Sequence, residues 1–280
     1  GISRFLRHNH RPKDGLTTYC MGSLPTVKDV AQTYNTPSYA NPMDAIADYE
    51  EYQREWASSQ LGSQAVSTRM EIPRGRVRTW QDGGKPDVVR GTETAREHSW
   101  LDLDVDNENF RALNRLVAGV FSGGSISAET FVPSFSAPDE MIESQLRDDL
   151  ETLGAGCRVA LSNSGNVEEL RPDSTGSVLG RVLVALGAPA GEKTTVDRLP
   201  SYLYGSTSTG DIRSDFVRVY VANRAANREN RDFLQIREER SDRYLDCVAA
   251  LIRDVTGVEV WRGEKTIRFR DSALTILDLE

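Results

Sequence analysis

Residues 110–126 read FRALNRLVAGVFSGGSI, an apolar stretch with small residues in its middle and a Ser-Gly-Gly-Ser phrase at its end. Residues 215–225 read DFVRVYVANRA, a second apolar stretch with a small residue near its end. In both, the apolar side chains fill most positions over two to three turns of helix, a pattern typical of a buried helix. We therefore predict a buried helix at each place.

The same order of elements follows both predicted helices. The first block continues with a strand pair at 125–135, a helix at 139–153, and strands at 157–162 and about 167–170. The second continues with a strand at 233–238, a helix at 242–255, and a hairpin at 259–262 and 266–270. Gly154 and Gly257 follow the second helix of each block, where glycine commonly ends a helix. The two glycines lie 103 positions apart, and a unit of helices and strands that recurs after about one hundred residues indicates two pseudo-symmetric halves.

The segment between the blocks carries a resemblance to a known family. Residues 180–194 read GRVLVALGAPAGEKT and residues 197–203 read DRLPSYL. In order and spacing, residues 105–280 resemble the LAGLIDADG homing endonuclease family. There a leucine-glycine-aspartate-proline-like phrase, a basic turn and an isoleucine-proline phrase lead into the second motif helix. Here Leu186 to Lys193 and Leu199-Pro200 occupy those places.

This resemblance implies an α+β fold built from two αββαββ halves. The two motif helices would pack together closely, with Ala118, Gly119 and Ala222 near their contact. Each half would lay an antiparallel sheet along the DNA major groove, and together they would form a saddle. In the family, an acid at the C-terminal end of each motif helix binds the divalent metal that drives phosphodiester cleavage.

The sequence departs from the family at those acids. The first motif ends in Ser122-Gly-Gly-Ser125, and the second reads Val221-Ala-Asn-Arg-Ala225, so neither supplies the carboxylate that a hard cation requires. His8, His10 and His98 form no metal-ligand grouping. Asp102, Asp104 and Asp106 lack the glycine and closing glutamate of a calcium loop. We therefore expect no catalytic residues, no metal site and no cofactor.

A second motif precedes the repeat. Residues 60–80 predict a helix, a tight turn and a second helix that starts at Pro73, with Val77 and Trp80 facing inward. The arginines Arg74, Arg76 and Arg78 are left for its exposed sides. Residues 63–80 hold four arginines against one acid, so this stretch is strongly basic. The pattern resembles a helix-turn-helix DNA-binding unit, whose second helix enters the major groove.

Other strand arginines and polar residues complete a candidate DNA surface. Gln235 and Arg237 are two residues apart, as are Arg268 and Arg270, so each pair shares a sheet face. Arginine suits this role because its planar fork can pair with guanine O6 and N7. The candidate DNA-binding residues are Arg69, Arg74, Arg76, Arg78, Arg158, Gln235, Arg237, Arg262, Lys265, Arg268 and Arg270.

We divide the chain into three parts. Residues 1–24 form a basic arm. Residues 25–104 form the helix-turn-helix domain and its linker, with helices at 26–34 and 44–58 and the linker at 81–104. The apolar face of the second helix consists of Ala45, Ile46, Tyr49, Tyr52 and Trp56, and the linker includes a short helix through Ala95 and Trp100. Residues 105–280 form the two-repeat domain. A basic arm can lie along a DNA groove.

Composition limits the other possibilities. The 280 residues carry a net charge of −8, uneven at +1 for residues 1–100 and −9 for 101–280, and 29 of the 34 basic residues are arginine. An acidic total counts against nucleic-acid binding, but it leaves room for a local basic face. Three cysteines without close spacing argue against a disulfide scaffold. With no apolar run of membrane length and no signal-peptide core, we expect a cytoplasmic, nucleoid-associated protein.

The sequence therefore predicts a non-enzymatic, sequence-specific protein that binds double-stranded DNA, as in a known class of regulators that resemble homing endonucleases. We favour a monomer with internal pseudo-symmetry. The alternatives are a plasmid or viral replication or partition factor, a structural protein that kept only the fold, and an active homing endonuclease.

Overall fold

The computed structural model describes residues 24–59, 61–136, 140–161, 168–204, 210–227 and 232–279. Apart from Leu24, the predicted basic arm lies outside the described residues. Helices and small antiparallel sheets make an α+β fold, which confirms the predicted class.

The N-terminal part is helical. Its helices are α1 (Val27–Ala31), α2 (Pro42–Ser59), α3 (Ser63–Met70), α4 (Arg74–Gln81) and α5 (Asp87–Glu97). Thr26 caps α1 through a capping box with Asp29. The helices enclose a small core that contains Val66, Val77 and Trp80.

Two predictions for this part were wrong in detail. The short helix predicted through Ala95 and Trp100 is α5, but it begins earlier, at Asp87, and ends before Trp100; its side chains from Val88 to Ala95 are largely buried. A buried helical face explains the difference, because α5 packs on α2 and α1. Trp56, predicted on the apolar face of α2, is 39% exposed because α2 extends beyond the core.

The rest of the chain contains the repeat. The first half has α6 (Glu108–Ser122), β1 (Ser125–Ile126), β2 (Pro133–Ser134), α7 (Glu140–Thr152), β3 (Cys157–Leu161) and β4 (Glu168–Pro172). Helix α8 (Gly176–Ala185) leads to the second half. That half has α9 (Gly210–Arg224), β5 (Ala225–Asn227), β6 (Phe233–Arg237), α10 (Asp242–Thr256), β7 (Val260–Arg262) and β8 (Thr266–Arg270). Helix α11 (Ala273–Ile276) follows. The αββαββ order of both halves confirms the predicted repeat.

The sheets repeat the same strand order. In the second half, the antiparallel order is β5-β6-β8-β7. In the first half, β1 pairs with β2 and β3 with β4, and a bridge between Phe135 and Leu170 joins the two pairs as β1-β2-β4-β3. Strand β5 was not predicted, because three residues are too few for an alternating pattern.

The two motif helices, α6 and α9, pack side by side and run in the same direction. Asn114 Nδ2, in the second turn of α6, donates to the carbonyl oxygen of Ile212 in the first turn of α9 (2.9 Å). At their C-terminal ends, Asn223 Nδ2 donates to Ser122 Oγ (2.8 Å). The predicted close packing is therefore confirmed.

The small residues serve this packing differently than predicted. Ala118 lies one turn from both Asn114 and Ser122, on the side of α6 that faces α9. A Cβ atom on Gly119 would lie 3.2 Å from Phe135 Cδ1, so Gly119 makes room for its own sheet and not for α9. At the C-terminal end of α9, the direct hydrogen bond to α6 comes from Asn223 and not from its half-buried neighbour Ala222.

Buried charges also hold α6, α7 and α9 together. Asp215 accepts hydrogen bonds from Arg111 (2.8 and 3.1 Å) and from Arg115 (3.0 Å). Arg115 also forms a bidentate contact with Asp149, whose side chain is 2% exposed. Burial raises the pKa of Asp149 to about 6, although Arg115 opposes that rise. This network makes the interface between the halves sensitive to the loss of any one charge.

Helix α8 and the segment after α5 join the N-terminal helices to the repeat. Helix α8 packs against α1 and α5. The indole N–H of Trp100 donates to the carbonyl oxygen of Leu153 (2.9 Å), at the end of α7. Among the described residues, none of the helices has the length and apolarity needed to cross a membrane.

Candidate nucleic-acid interface

The second sheet separates apolar and polar side chains onto two faces. On β6, Leu234 and Ile236 are buried, while Phe233, Gln235 and Arg237 point to the other side. On β8, Ile267 and Phe269 are buried and alternate with Thr266, Arg268 and Arg270. The two predicted pairs, Gln235 with Arg237 and Arg268 with Arg270, therefore do share faces. We call this polar side the outer face of the second sheet; its members are Phe233, Gln235, Arg237, Trp261, Thr266, Arg268 and Arg270.

Arginines and aromatic rings are interleaved on this outer face. Gln235 lies opposite Arg268, and Arg268 Nε donates to Gln235 Oε1 (3.2 Å). The Arg268 guanidinium lies 5.5 Å from the centre of the Phe233 ring. The Arg270 guanidinium lies 5.2 Å from the centre of the Trp261 ring, which is 38% exposed. Cation–π contacts of this kind position the guanidinium groups over the rings. Arg270 also forms a loose ion pair with the exposed Glu259 (3.6 Å).

Arg237 and Lys265 lie at one end of this surface. Both contact Glu239: Arg237 Nη2 lies 3.4 Å and Lys265 Nζ 2.5 Å from its carboxylate oxygens. The Arg237 side chain is 73% exposed, so its pairing is loose. An external anion would compete with Glu239 for both cations, and Arg237 is the more loosely held of the two.

Arg262 lies on the opposite face, contrary to the prediction. It is two residues from the buried Val260, so both side chains point toward α10. There Arg262 Nη2 contacts Asp242 Oδ1 (2.6 Å) and its Nε contacts Asp246 Oδ1 (3.1 Å). The alternation with Val260 in the sequence could have indicated this position.

In the first sheet, the corresponding face is less basic. Arg158 is exposed and lies opposite Arg171. Arg171 pairs with Glu169 (3.0 Å) and lines a cavity of about 290 Å³ together with Ser125 and Ser134. The two serines were missed in the sequence, because β1 and β2 have only two residues each. Arg171 was missed because the predicted strand ended at about residue 170, whereas β4 continues to Pro172. This face offers hydroxyl groups and two guanidinium groups.

The basic helical hairpin has the predicted form. Glu71 adopts the left-handed conformation (φ 56°) at the turn between α3 and α4, and Pro73 precedes α4. Val77 and Trp80 are buried, as predicted. Trp80 packs edge-on against Tyr49, with ring centres 5.4 Å apart.

The four arginines of this hairpin are not equivalent. Arg74 and Arg78 are exposed, and Arg74 Nε contacts only a hydroxyl, Ser63 Oγ (3.2 Å). Arg69 forms an ion pair with Glu55 (2.5 Å). Arg76, predicted to be exposed, is half-buried: it stacks 4.6 Å from the Tyr39 ring centre and donates to the Tyr39 hydroxyl (2.8 Å). Arg74 and Arg78 are therefore the members most free to contact a ligand.

The C-terminal ends of α6 and α9 carry cations where a nuclease of the resembled family would hold metal ions. Lys193 Nζ donates to the carbonyl oxygens of Val120 (2.7 Å) and Gly124. Arg240 Nη2 donates to the carbonyl oxygen of Phe121 (2.7 Å). Burial, and secondly the nearby Arg240, lower the pKa of Lys193 to about 8.

The Glu238 carboxylate, which lies near these helix ends, already has hydrogen-bond and ion-pair partners within the protein. Glu238 is 4% exposed; it accepts from the Tyr220 hydroxyl (2.7 Å) and pairs with Arg224 (3.1 Å). Within the described part of the chain, no three His, Cys, Asp or Glu side chains are grouped to hold a metal ion. A divalent cation would meet an ammonium and two guanidinium groups here, so these residues do not fit a metal centre.

Comparison with known proteins finds similarity only among solved structures. No protein-family model matches the chain, and no curated protein matches it. Full-length DUF199/WhiA from Thermatoga maritima superposes with a TM-score of 0.41 and 7% identity, over 65% of this chain and 58% of that chain. The N-terminal LAGLIDADG domain of DUF199/WhiA superposes with a TM-score of 0.40 and 9% identity, over 62% of this chain and 83% of that chain. The match thus spans less than two thirds of the full-length structure.

Proposed function

We propose that this protein binds double-stranded DNA in a sequence-specific manner and acts as a regulator without nuclease activity. The observation that carries the proposal is the outer face of the second sheet, where Arg237, Arg268 and Arg270 lie beside Gln235 and two aromatic rings. An arginine fork pairs with guanine, and glutamine pairs with adenine, through two hydrogen bonds each. A β-ribbon can enter the major groove with such side chains outward.

The charge distribution is compatible with this role. The net charge of −8 belongs to the whole chain, whereas phosphate recognition depends on the local field. On the outer face, the arginines alternate with buried apolar residues along each strand, which aims them all to one side. Arg158 and Lys265 extend the proposed contact surface.

The hairpin of α3 and α4 supplies a second proposed contact. Arg74 lies at the N-terminal end of α4, where base contacts concentrate in helix-turn-helix proteins. We propose residues 25–104 as this helix-turn-helix domain, residues 105–280 as the two-repeat domain, and residues 1–24 as a basic arm that adds phosphate contacts. We further propose a monomer, with the internal repeat in place of a symmetric dimer.

Selection of bound sequences from random duplex DNA tests the proposal. We expect enrichment of one asymmetric site, because the two halves present different side chains. Binding to the selected site should exceed binding to a scrambled duplex by about 10³-fold or more at physiological salt. Equal binding to both duplexes would contradict sequence specificity. If the protein bound neither duplex at about 50 mM salt, the proposed DNA binding would be wrong, and a structural protein that kept only the fold would be favoured instead.

Alanine at Arg74 or Arg78 should weaken binding to the selected site. If the side chain reads a base, the loss should be about 1–3 kcal/mol and confined to the selected site. If it contacts a phosphate, both duplexes should bind more weakly and the salt slope should fall by about one unit. The measurement is fluorescence anisotropy over a salt series. Arg96→Ala is the matched control, since Arg96 is exposed on α5, outside the hairpin. Unchanged affinity and slope in both variants would reduce α3 and α4 to a scaffold.

The purified protein should not cut its selected site with magnesium or manganese. The physical reason is the cationic setting of Lys193, Arg224 and Arg240 at the ends of the motif helices. A supercoiled plasmid that carries the site should stay uncut over hours. Double-strand cleavage at the site that persists through further purification would overturn this part of the proposal.

A further inference from the structure

A cleft of about 430 Å³ lies at the seam between the N-terminal helices and the repeat. Its walls come from three places: the residues after α1, one side of α5, and the first turns of α8. The residues that line it are Tyr34, Asn35, Asp87, Arg90, Gly91, Thr94, Thr175, Ser177, Val178 and Arg181. None of them belongs to the surfaces proposed above to contact DNA.

Arg181 is the most constrained side chain of the cleft. Its guanidinium lies between two rings, 4.0 Å from the centre of Tyr34 and 3.8 Å from that of Phe131. One of its nitrogen atoms, Nη1, donates to the carbonyl oxygen of Thr33. Its Nε is buried without a hydrogen-bond partner in the structure. Burial lowers the pKa of Arg181, although Tyr34 and Asp87 oppose the change.

The rest of the cleft is also short of negative charge. Asp87, the acid among its lining residues, forms an ion pair with Arg90 (2.9 Å). Thr175, which precedes α8, adopts the left-handed conformation (φ 53°), and its hydroxyl does not cap the helix. Thr175 Oγ1 is instead buried without a partner. Unpaired buried polar atoms are rare in folded proteins and call for an explanation.

The neighbouring packing keeps Tyr34 in place. A Cβ atom on Gly91 would lie 1.7 Å from the Tyr34 hydroxyl, so only glycine at this position of α5 admits the ring. The ring in turn supports the Arg181 guanidinium. The cleft therefore has a fixed wall and a fixed cation, as a preformed binding site requires.

We propose that this cleft binds a small phosphate-bearing molecule, with Arg181, Arg90 and the Thr175 hydroxyl as its donors. Two guanidinium groups match the oxygen atoms of a phosphate. The first turn of α8 holds no acidic residue, and its dipole favours an anion at the same place. The volume admits a ligand of mononucleotide size and is too small for a duplex.

The test measures binding to the 280-residue chain without DNA, so its outcome is independent of the proposed DNA binding. Sodium phosphate, pyrophosphate and adenosine 5′-monophosphate are titrated at constant ionic strength, with sodium chloride as the reference. We expect at least one of them to raise the melting temperature by about 3 °C at ten times its Kd. Calorimetric titration then gives the affinity, and the relative affinities of phosphate and its ester distinguish a free anion from an organic phosphate.

Two variants make the test specific. Arg90→Gln and Thr175→Val should each weaken binding of the anion by about tenfold, because each removes one donor from the lining of the cleft. Arg96→Gln is the matched control on α5 and should bind as the wild type does. The proposal is overturned if none of the three anions stabilises the protein, or if both variants bind as tightly as the control. It is also overturned if the anions have no effect while Arg90→Gln weakens DNA binding, since the cleft would then contact a DNA phosphate.

Discussion

Asp215→Asn should lower the free energy of unfolding by about 3 kcal/mol, because it weakens three charge-assisted hydrogen bonds, leaving the partly exposed Arg111 without a carboxylate and the buried Arg115 with Asp149 alone. The Asp215 side chain is 15% exposed and forms ion pairs with Arg111 and Arg115. The Arg115 side chain is only 13% exposed. The substitution preserves shape and removes charge at the contact between the two halves. Denaturation in urea, followed by circular dichroism, measures the loss.

Asp211→Asn is the matched control for this prediction. Asp211 lies in the first turn of the same helix, α9, and is exposed, so its replacement should change stability by less than about 0.5 kcal/mol. If Asp215→Asn were as mild as Asp211→Asn, the packing of α6 against α9 would not have the importance that the structure gives it.

Trp80→Ala should cost about 3–5 kcal/mol, because it opens a cavity in the small core of the N-terminal helices. Trp80 is 5% exposed and packs on Tyr49 and Tyr52, with ring centres 5.4 and 5.2 Å away. It lies on α4, so its loss would also release Arg74 and Arg78 from their positions. Thermal unfolding and near-ultraviolet circular dichroism report the two effects.

Trp56→Ala provides the comparison, since Trp56 is 39% exposed at the end of α2. We expect a loss below about 1 kcal/mol for this variant. Equal losses for the two tryptophans would contradict the placement of α4 on its core.

Much of the architecture could be predicted from the sequence, because local patterns determine it. Gly154 and Gly257 end α7 and α10 in left-handed conformations, and the spacing between them indicated the repeat. The i, i+3 pair Val77 and Trp80 correctly predicted the buried side of α4. In each case the structure is determined by residues within one helical turn or by one residue that ends a helix.

The features that could not be predicted from the sequence depend on contacts between residues that are distant along the chain. The link from Arg115 to Asp149 and Asp215 spans 34 and 100 positions, so no local pattern could show it. The same holds for Lys193, whose ammonium binds carbonyl groups about seventy residues away. The prediction for Arg262 was wrong although a local pattern, the alternation with Val260, was visible. The two acidic residues that bind Arg262 lie on α10.

The central claim is that the outer face of the second sheet binds DNA. The most direct test compares the double variant Arg268→Ala and Arg270→Ala with the double control Arg54→Ala and Arg96→Ala, which removes the same charge from exposed sites on α2 and α5. Affinity for the selected duplex is measured by anisotropy over a salt series. We predict that the sheet variant loses about 100-fold in affinity and about two units of salt slope, while the control keeps both. Equal affinities and equal slopes in the two double variants would contradict the claim.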